Sequence, residues 1–259
     1  MTTDGLRGFW IDRAPRPGFE NMAIDHAMFD LSEATGAHLW RLYRWEPHCL
    51  SFGRHEPARR RYRLDLISAE HLPCVRRPTG GRAVWHAREL TYAVAAPLSQ
   101  YGSLHLAYRA IHQILATAVA ALGATPELAP DRTTPGLGSG PCFAVAVGGE
   151  ILVAGKKVVG SAQRRGERAL LQHGSMLLED DQSLVRRVHL APSPEEPPET
   201  PLGQLLGRPL DFDAAATAVA TALMATGLPA LPDGGPNEVL RRAEGHYDTY
   251  QSDAWTWDR

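Results

Sequence analysis

From residue 72 to residue 97 the chain reads LPCVRRPTGGRAVWHARELTYAVAAP. LPCVRR and RAVWH flank the pair Gly80-Gly81, and ELTYAVAAP follows as a third extended segment. Extended segments in direct succession break the strict strand-helix-strand alternation of a parallel α/β fold. Two amphipathic stretches bracket this block. GFENMAIDHAMFDLSEATG places Ile24, Ala27, Met28 and Leu31 on one helical face and stops at Gly36. In SLHLAYRAIHQILATAVAALG, Ser103 stands where it caps a helix whose apolar stripe runs through Leu104, Tyr108, Ile111, Leu115 and Leu122 and ends at Gly123. Strands and helices mixed in this way predict an α+β sheet fold.

LWRLYRW and CLSFG read as strands about a turn at Pro47, followed by a short arginine-rich helix, and EILVAG, KKVVGSAQRR and ALLQHGSMLL read as three further strands. Residues 125–141, TPELAPDRTTPGLGSGP, are too rich in proline and glycine for regular structure and are expected to form a long loop with Cys142 at its exit. A proline-rich segment at 192–209 leads to a helix near DAAATAVATALMATG, and a polar tail occupies 228–259. With 259 residues and 44% hydrophobic content, one domain over 1–259 can bury a sizeable core.

Several function classes drop out. A net charge of −2 gives no general case for nucleic acid, and no apolar run approaches the ~20 residues of a membrane helix. The start MTTDGLRGFW has no apolar signal core, and Cys49, Cys74 and Cys142 lack a disulfide-framework spacing, so a reducing cytoplasm is expected. His71-x-x-Cys74 has no second pair of matching spacing, and no metal site is expected. Between Gly149 and Gly155 lie five residues instead of the four of a phosphate-binding P-loop, and Lys156 is followed by lysine where a hydroxyl is needed. Residues 54–88 hold nine arginines against Glu56, Asp65 and Glu70, which reads either as a solvated face or as a docking surface for an acidic partner.

Of the 27 basic residues only Lys156 and Lys157 are lysine. An amine loses its proton near neutrality when its surroundings push it, whereas a guanidinium does not, so the pair marks candidate chemistry. In RRPTGGRAVWHARELTY the paired glycines let backbone N–H groups approach a ligand closely, with Arg77, Thr79 and His86 as side-chain donors around them. A plain hairpin turn is the alternative.

RRPTGGRAVWH, GKKVVGSAQRR and LQHGS, with ENMAID and LYRWEPHCLSFGR upstream, resemble the lipoate-protein ligase, octanoyltransferase and biotin-protein ligase superfamily over about residues 20–178. The resemblance implies a single domain with a mixed, largely antiparallel sheet flanked by helices and a pocket for a medium-chain acyl group. It assigns the family's lysine to Lys157, leaving Lys156 a solvent-facing neighbour. It places substrate binding at Arg77, Thr79, Gly80, Gly81, His86, Gly160, Ser161, Ala162, His173 and Gly174. Within the superfamily the chain looks like the cysteine-dependent octanoyl-[carrier protein]:protein N-octanoyltransferases. It reads GRAVWHARELTY where the ATP-dependent ligases usually carry a third glycine and a Gly-Asn, and Cys142-Phe143 stands eight residues before Glu150 and fifteen before Lys157. It departs from that group in VGGE, where an aromatic residue commonly precedes the glutamate.

By this resemblance the protein takes an octanoyl group from octanoyl-acyl carrier protein and gives it to the lysine of a lipoyl domain or of glycine cleavage H protein, through a thioester on Cys142. A thiol of ordinary pKa near ~8.5 is only a few per cent thiolate at neutrality, and a neighbouring Lys157 ammonium lowers that value. Backbone N–H groups at Gly80-Gly81 or at 160–162 are candidate oxyanion donors. No cofactor is required. Mg²⁺ and ATP enter only with the alternative, a lipoate-protein ligase in which Lys157 contacts an acyl-adenylate and Cys142 is inert. A third reading, a non-catalytic acyl-binding relative, is opposed by the intact Cys142, Lys157 and His173-Gly174.

Overall fold

The computed structural model describes residues 5–129, 149–191 and 199–258. In chain order the strands are β1 (Arg7–Ile11), β2 (His38–Tyr43), β3 (Cys49–Phe52), β4 (Cys74–Arg76), β5 (Val84–His86), β6 (Glu89–Pro97), β7 (Pro126–Leu128), β8 (Ile151–Val153), β9 (Lys156–Lys157), β10 (Val159–Arg165) and β11 (Ala169–Leu177). The helices are α1 (Gly18–Thr35), α2 (Ala58–Arg61), α3 (Leu64–Ala69), α4 (Leu104–Ala121), α5 (Ser183–Val188), α6 (Leu202–Leu206), α7 (Phe212–Ala225), α8 (Asn237–Glu244), α9 (Tyr247–Gln251) and α10 (Asp253–Trp257).

The main sheet runs β1-β2-β6-β11-β10, and smaller sheets run β4-β3-β5 and β7-β8-β9. β1 and β2 are parallel, while β2, β6, β11 and β10 pair antiparallel in succession, which is the predicted mixed sheet. Side chains alternate between the faces of a strand. Along β6, Leu90, Tyr92, Val94 and Ala96 join the core formed with α4 and α7, through Ile111, Leu115, Val219 and Leu223. Ala93 and Ala95 join the opposite core, beneath Ile24, Ala27 and Met28 of α1. Full burial of each such large side chain stabilises the fold by about 1.5–3 kcal/mol. The helix signals hold: the Ser103 hydroxyl accepts from the Leu106 N–H at 3.1 Å, and Gly36 closes α1 in the left-handed region at φ 74°.

Three stretches differ from the sequence reading. Pro126–Leu128, expected within a loop, forms β7 against β8, while residues 130–141 of that loop and Cys142 lie outside the described residues. Within 192–209 the chain forms α6, with 192–198 outside the described residues. The polar tail packs as α8 to α10, burying Val239, Ala243 and Tyr250 against the α1 side of the sheet. Its end is tied to β4 and to the segment after β3, because the Arg76 guanidinium donates to the Trp255 and Thr256 carbonyls at 2.9 and 2.8 Å and also to the Gly53 carbonyl at 2.6 Å. Among the described residues no helix is long and apolar enough to cross a membrane.

Candidate active site

The antiparallel edge β11-β10 and the β4-β3-β5 sheet meet at a narrow cleft lined by Gly160 and Gly174 and by Trp45, Arg77, His86 and His173. Glycine is required where these layers touch. A Cβ on Gly174 would lie 2.3 Å from the Gly160 carbonyl oxygen, and one on Gly53 would lie 1.8 Å from that of Gly81. The Gly80-Gly81 turn is held by Arg77, whose Nη2 donates to the Gly80 and Arg82 carbonyls at 3.1 and 2.6 Å while Nη1 donates to the Ser51 hydroxyl at 2.6 Å. Arg77 is therefore a buried brace of the turn as well as a wall of the cleft.

Two histidines line the cleft. His86 stacks on Trp45 with ring centroids 4.0 Å apart and gives its Nδ1 proton to Glu89 Oε1 at 2.7 Å, while its Nε2 meets the Ser51 hydroxyl at 2.6 Å. Thr91 and Ser175 donate to the same Glu89 oxygen. Ser51, His86 and Glu89 have the connectivity of a hydrolase triad, but Ser51 is fully buried and already accepts from Arg77. The set fixes an imidazole and presents no nucleophile. His173 is bonded through Nε2 to the Thr79 hydroxyl at 2.5 Å and through Nδ1 to Asp25 Oδ2 at 3.0 Å. Burial pushes the His173 pKa down, with the nearby Arg77 charge adding to the effect and Asp25 opposing it. Asp25 itself accepts from Tyr43 at 2.7 Å and Arg41 at 3.2 Å.

The lysines separate as their sequence context implied. Lys156 is exposed, whereas the Lys157 side chain is only 5% exposed and its Nζ lies 2.5 Å from Glu150 Oε1. Lys157 is not among the described residues that line the cleft; it stands just before β10, which forms the cleft's edge. The segment that carries Cys142 leaves at Ala129 and returns at Gly149, and these two ends clasp beside Glu150. The Gly149 N–H donates to the Ala129 carbonyl and the Ala129 N–H to the Glu150 carbonyl, both at 2.8 Å. Cys142 itself lies outside the described residues. Cys49 and Cys74 are free thiols whose pKa burial pushes up, that of Cys74 to about 12.

Two arginines of the arginine-rich stretch are buried, and several others form ion pairs at the surface. Arg76 and Arg77 are buried, Arg59 pairs with Asp258 at 2.8 Å, Arg63 with Asp65 at 3.4 Å, Arg61 lies 3.8 Å from Glu56, and Arg88 pairs with Asp180. Among the described residues one His/Asp group has metal-like spacing, His26, Asp30 and His246, with ligand atoms within 4.8 Å of one another. Arg164 Nη1 sits 2.9 Å from His26 Nε2, so that ligand atom already accepts from a cation.

A family model of the lipoyl protein ligase A/B catalytic domain matches residues 17–224. The chain belongs to that family. Its relatives include Octanoyltransferase LipM of Symbiobacterium thermophilum, 36% identical over 81% of this chain and 82% of the relative, and Octanoyltransferase LipM of an Exiguobacterium species, 34% identical over 93% and 94%. The fold matches a crystal structure of lipoate-protein ligase A bound with ATP, with TM-score 0.81 and 19% identity over 97% and 98% of the two chains. It also matches the bi-partite lipoate protein ligase of Thermoplasma acidophilum, with TM-score 0.72 and 17% identity over 97% and 96%. In this lipoyl ligase-type domain, Arg77, His86, Gly160, Ser161, Ala162, His173 and Gly174 meet at one cleft, with Thr79, Gly80 and Gly81 in the turn against it. The sequence reading did not place Trp45, Asp25, Glu89 or Ser175 there. Asp25 and Glu89 stand within its quoted motifs ENMAID and RELTY, but no local spacing reveals that they underpin His173 and His86.

Proposed function

We propose that the protein transfers an octanoyl group from octanoyl-acyl carrier protein to the lysine of a lipoyl domain, or of glycine cleavage H protein, through a thioester on Cys142, in the cytoplasm. Octanoyl transfer is the activity named for relatives at 34–39% identity. The observation that carries the reading is the buried Lys157–Glu150 pair beside the clasped ends of the Cys142 segment, next to the strand that edges the cleft. In the first step the Cys142 thiolate attacks the donor thioester, the carbonyl–sulfur bond of the donor breaks, and the carrier thiolate leaves, taking a proton from the Lys157 ammonium. The Lys157 ammonium favours the thiolate that attacks. In the second step the acceptor amine attacks the Cys142 thioester, the C–S bond breaks and Cys142 departs as thiolate. The proton shed by the amine passes to the Lys157–Glu150 pair.

The thioester supplies the activation, so neither ATP nor Mg²⁺ takes part. The test is modification of a lipoyl domain by purified protein and octanoyl carrier protein with all nucleotide removed. Product without nucleotide is expected; product only from free acid with Mg²⁺ and ATP would return the protein to the ligases.

A further inference from the structure

One buried group beside the lysine has no part in those steps. His112, on α4, is fully buried, with Nδ1 2.7 Å from the Gly149 carbonyl and Nε2 2.8 Å from the Ser161 hydroxyl. A carbonyl only accepts, so Nδ1 carries the proton. The remaining directions then follow without conflict. Gln172 Nε2 donates to the Tyr92 oxygen at 2.8 Å, the Tyr92 hydroxyl donates to Ser161 at 2.6 Å, Ser161 donates to His112 Nε2, and His112 donates to Gly149. Gly149 directly precedes Glu150, the partner of Lys157. One helical turn before His112, Tyr108 packs on the imidazole with centroids 4.0 Å apart, and its hydroxyl lies 3.5 Å from the Glu150 carboxylate. Two residues at i and i+4 of α4 thus grip Gly149 and Glu150 together.

We propose that His112 is a positioning residue that ties the acyl-cleft wall at Ser161 to the Glu150–Lys157 pair, acting as a neutral imidazole protonated on Nδ1. The groups around it are Tyr108 from its own helix, Tyr92 and Ser161 from the sheet, and Glu150 and Lys157 from the β8-β9 arm. Burial lowers its pKa to about 4, with the Lys157 charge acting in the same direction, so the neutral form is kept at working pH. A protonated ring would turn Nε2 into a donor and reverse the bond from Ser161.

The proposal rests on the octanoyltransferase reading for its kinetic arm and on geometry alone for its spectroscopic arm. His112→Phe fills the same space without either nitrogen. It is expected to lower kcat of octanoyl transfer ~30-fold or more while KM for the octanoyl donor stays within ~3-fold, and to displace by roughly one unit the pH–rate limb that reports the lysine pair. His112→Asn retains a donor near the Nδ1 position and is expected to recover part of the rate. Wild-type kcat and pH profile in His112→Phe would overturn the proposal, as would a rate loss that follows the loss of folded protein with the pH profile unmoved. In wild-type protein, long-range proton–nitrogen NMR of His112 should show Nδ1 protonated and Nε2 bare at every pH well above about 4. An Nε2-protonated or charged ring at neutral pH would overturn it even if another acyl donor proved to be the substrate, whereas failure of wild-type protein to transfer octanoyl groups would overturn only the functional reading.

Discussion

On one flank of the cleft, Asp25 accepts from Tyr43, Arg41 and His173, and His173 in turn holds Thr79, so α1, β2, β11 and the glycine turn are joined by a web of buried contacts. On the other flank, Lys157 meets Glu150, Tyr108 and His112 hold Glu150 and Gly149 from one helix, and the supporting strands β8 and β9 are three and two residues long. The first flank is cross-braced through central elements of the fold. The second, among the described residues, is carried by these short strands and by α4, next to both ends of the Cys142 segment. In the proposed reading the cross-braced wall shapes the acyl cleft, and the side built on short strands carries the chemistry.

The comparison is most readily broken at the two lysines. Lys157→Arg keeps a cation but cannot share protons with Glu150 in the same way, and transfer to the acceptor amine is expected to fall ~10³-fold, with thermal stability little changed. Lys156→Arg is expected to stay within ~2-fold of wild type in the same assay, since Lys156 is exposed. Equal losses at both positions would erase the assignment.

On the opposite flank the order of effects reverses. Asp25→Ala removes a buried acceptor from Tyr43, Arg41 and His173, while Arg41 keeps Asp12 at 2.8 Å, and is expected to cost about 1–3 kcal/mol in urea unfolding, the scale for buried donors left without a partner. The folded fraction should retain most of its kcat. A variant that unfolds normally but has lost its turnover would place Asp25 in the chemistry instead.

The part of this arrangement that was legible in the sequence is the part that local spacing dictates. Gly80-Gly81 between extended segments, the capped stripe of α4, and the lysine before VVGSA each announce themselves within a dozen residues. His112 did not, because on α4 it sits within the apolar stripe and its partners Gly149 and Ser161 come from distant strands. The tail at 228–259 reads as polar because α8 buries only one edge, through Val239 and Ala243. The internal pairing of the arginine-rich stretch was hidden for a related reason. Arg59 finds Asp258 at the far end of the chain, a pairing that no local charge count displays.

That pairing sets the smallest expected effect. Reversing Arg59, Arg60 and Arg61 to glutamate removes contacts to Asp258 and Glu56 as well as surface charge. The apparent KM for carrier protein should rise only ~2- to 5-fold, with a flatter salt dependence and little change in kcat. A change in kcat larger than that in KM would show that this face reaches the cleft.

The most direct test of the account is the intact mass of the protein after exposure to octanoyl carrier protein with no acceptor present. An octanoyl adduct is expected that hydroxylamine removes, that discharges on addition of a lipoyl domain, and that is absent from Cys142→Ala but present in Cys49→Ala and Cys74→Ala, whose thiols are held in strands β3 and β4. Undiminished turnover by Cys142→Ala, or an adduct that maps to another residue, would contradict covalent transfer through Cys142.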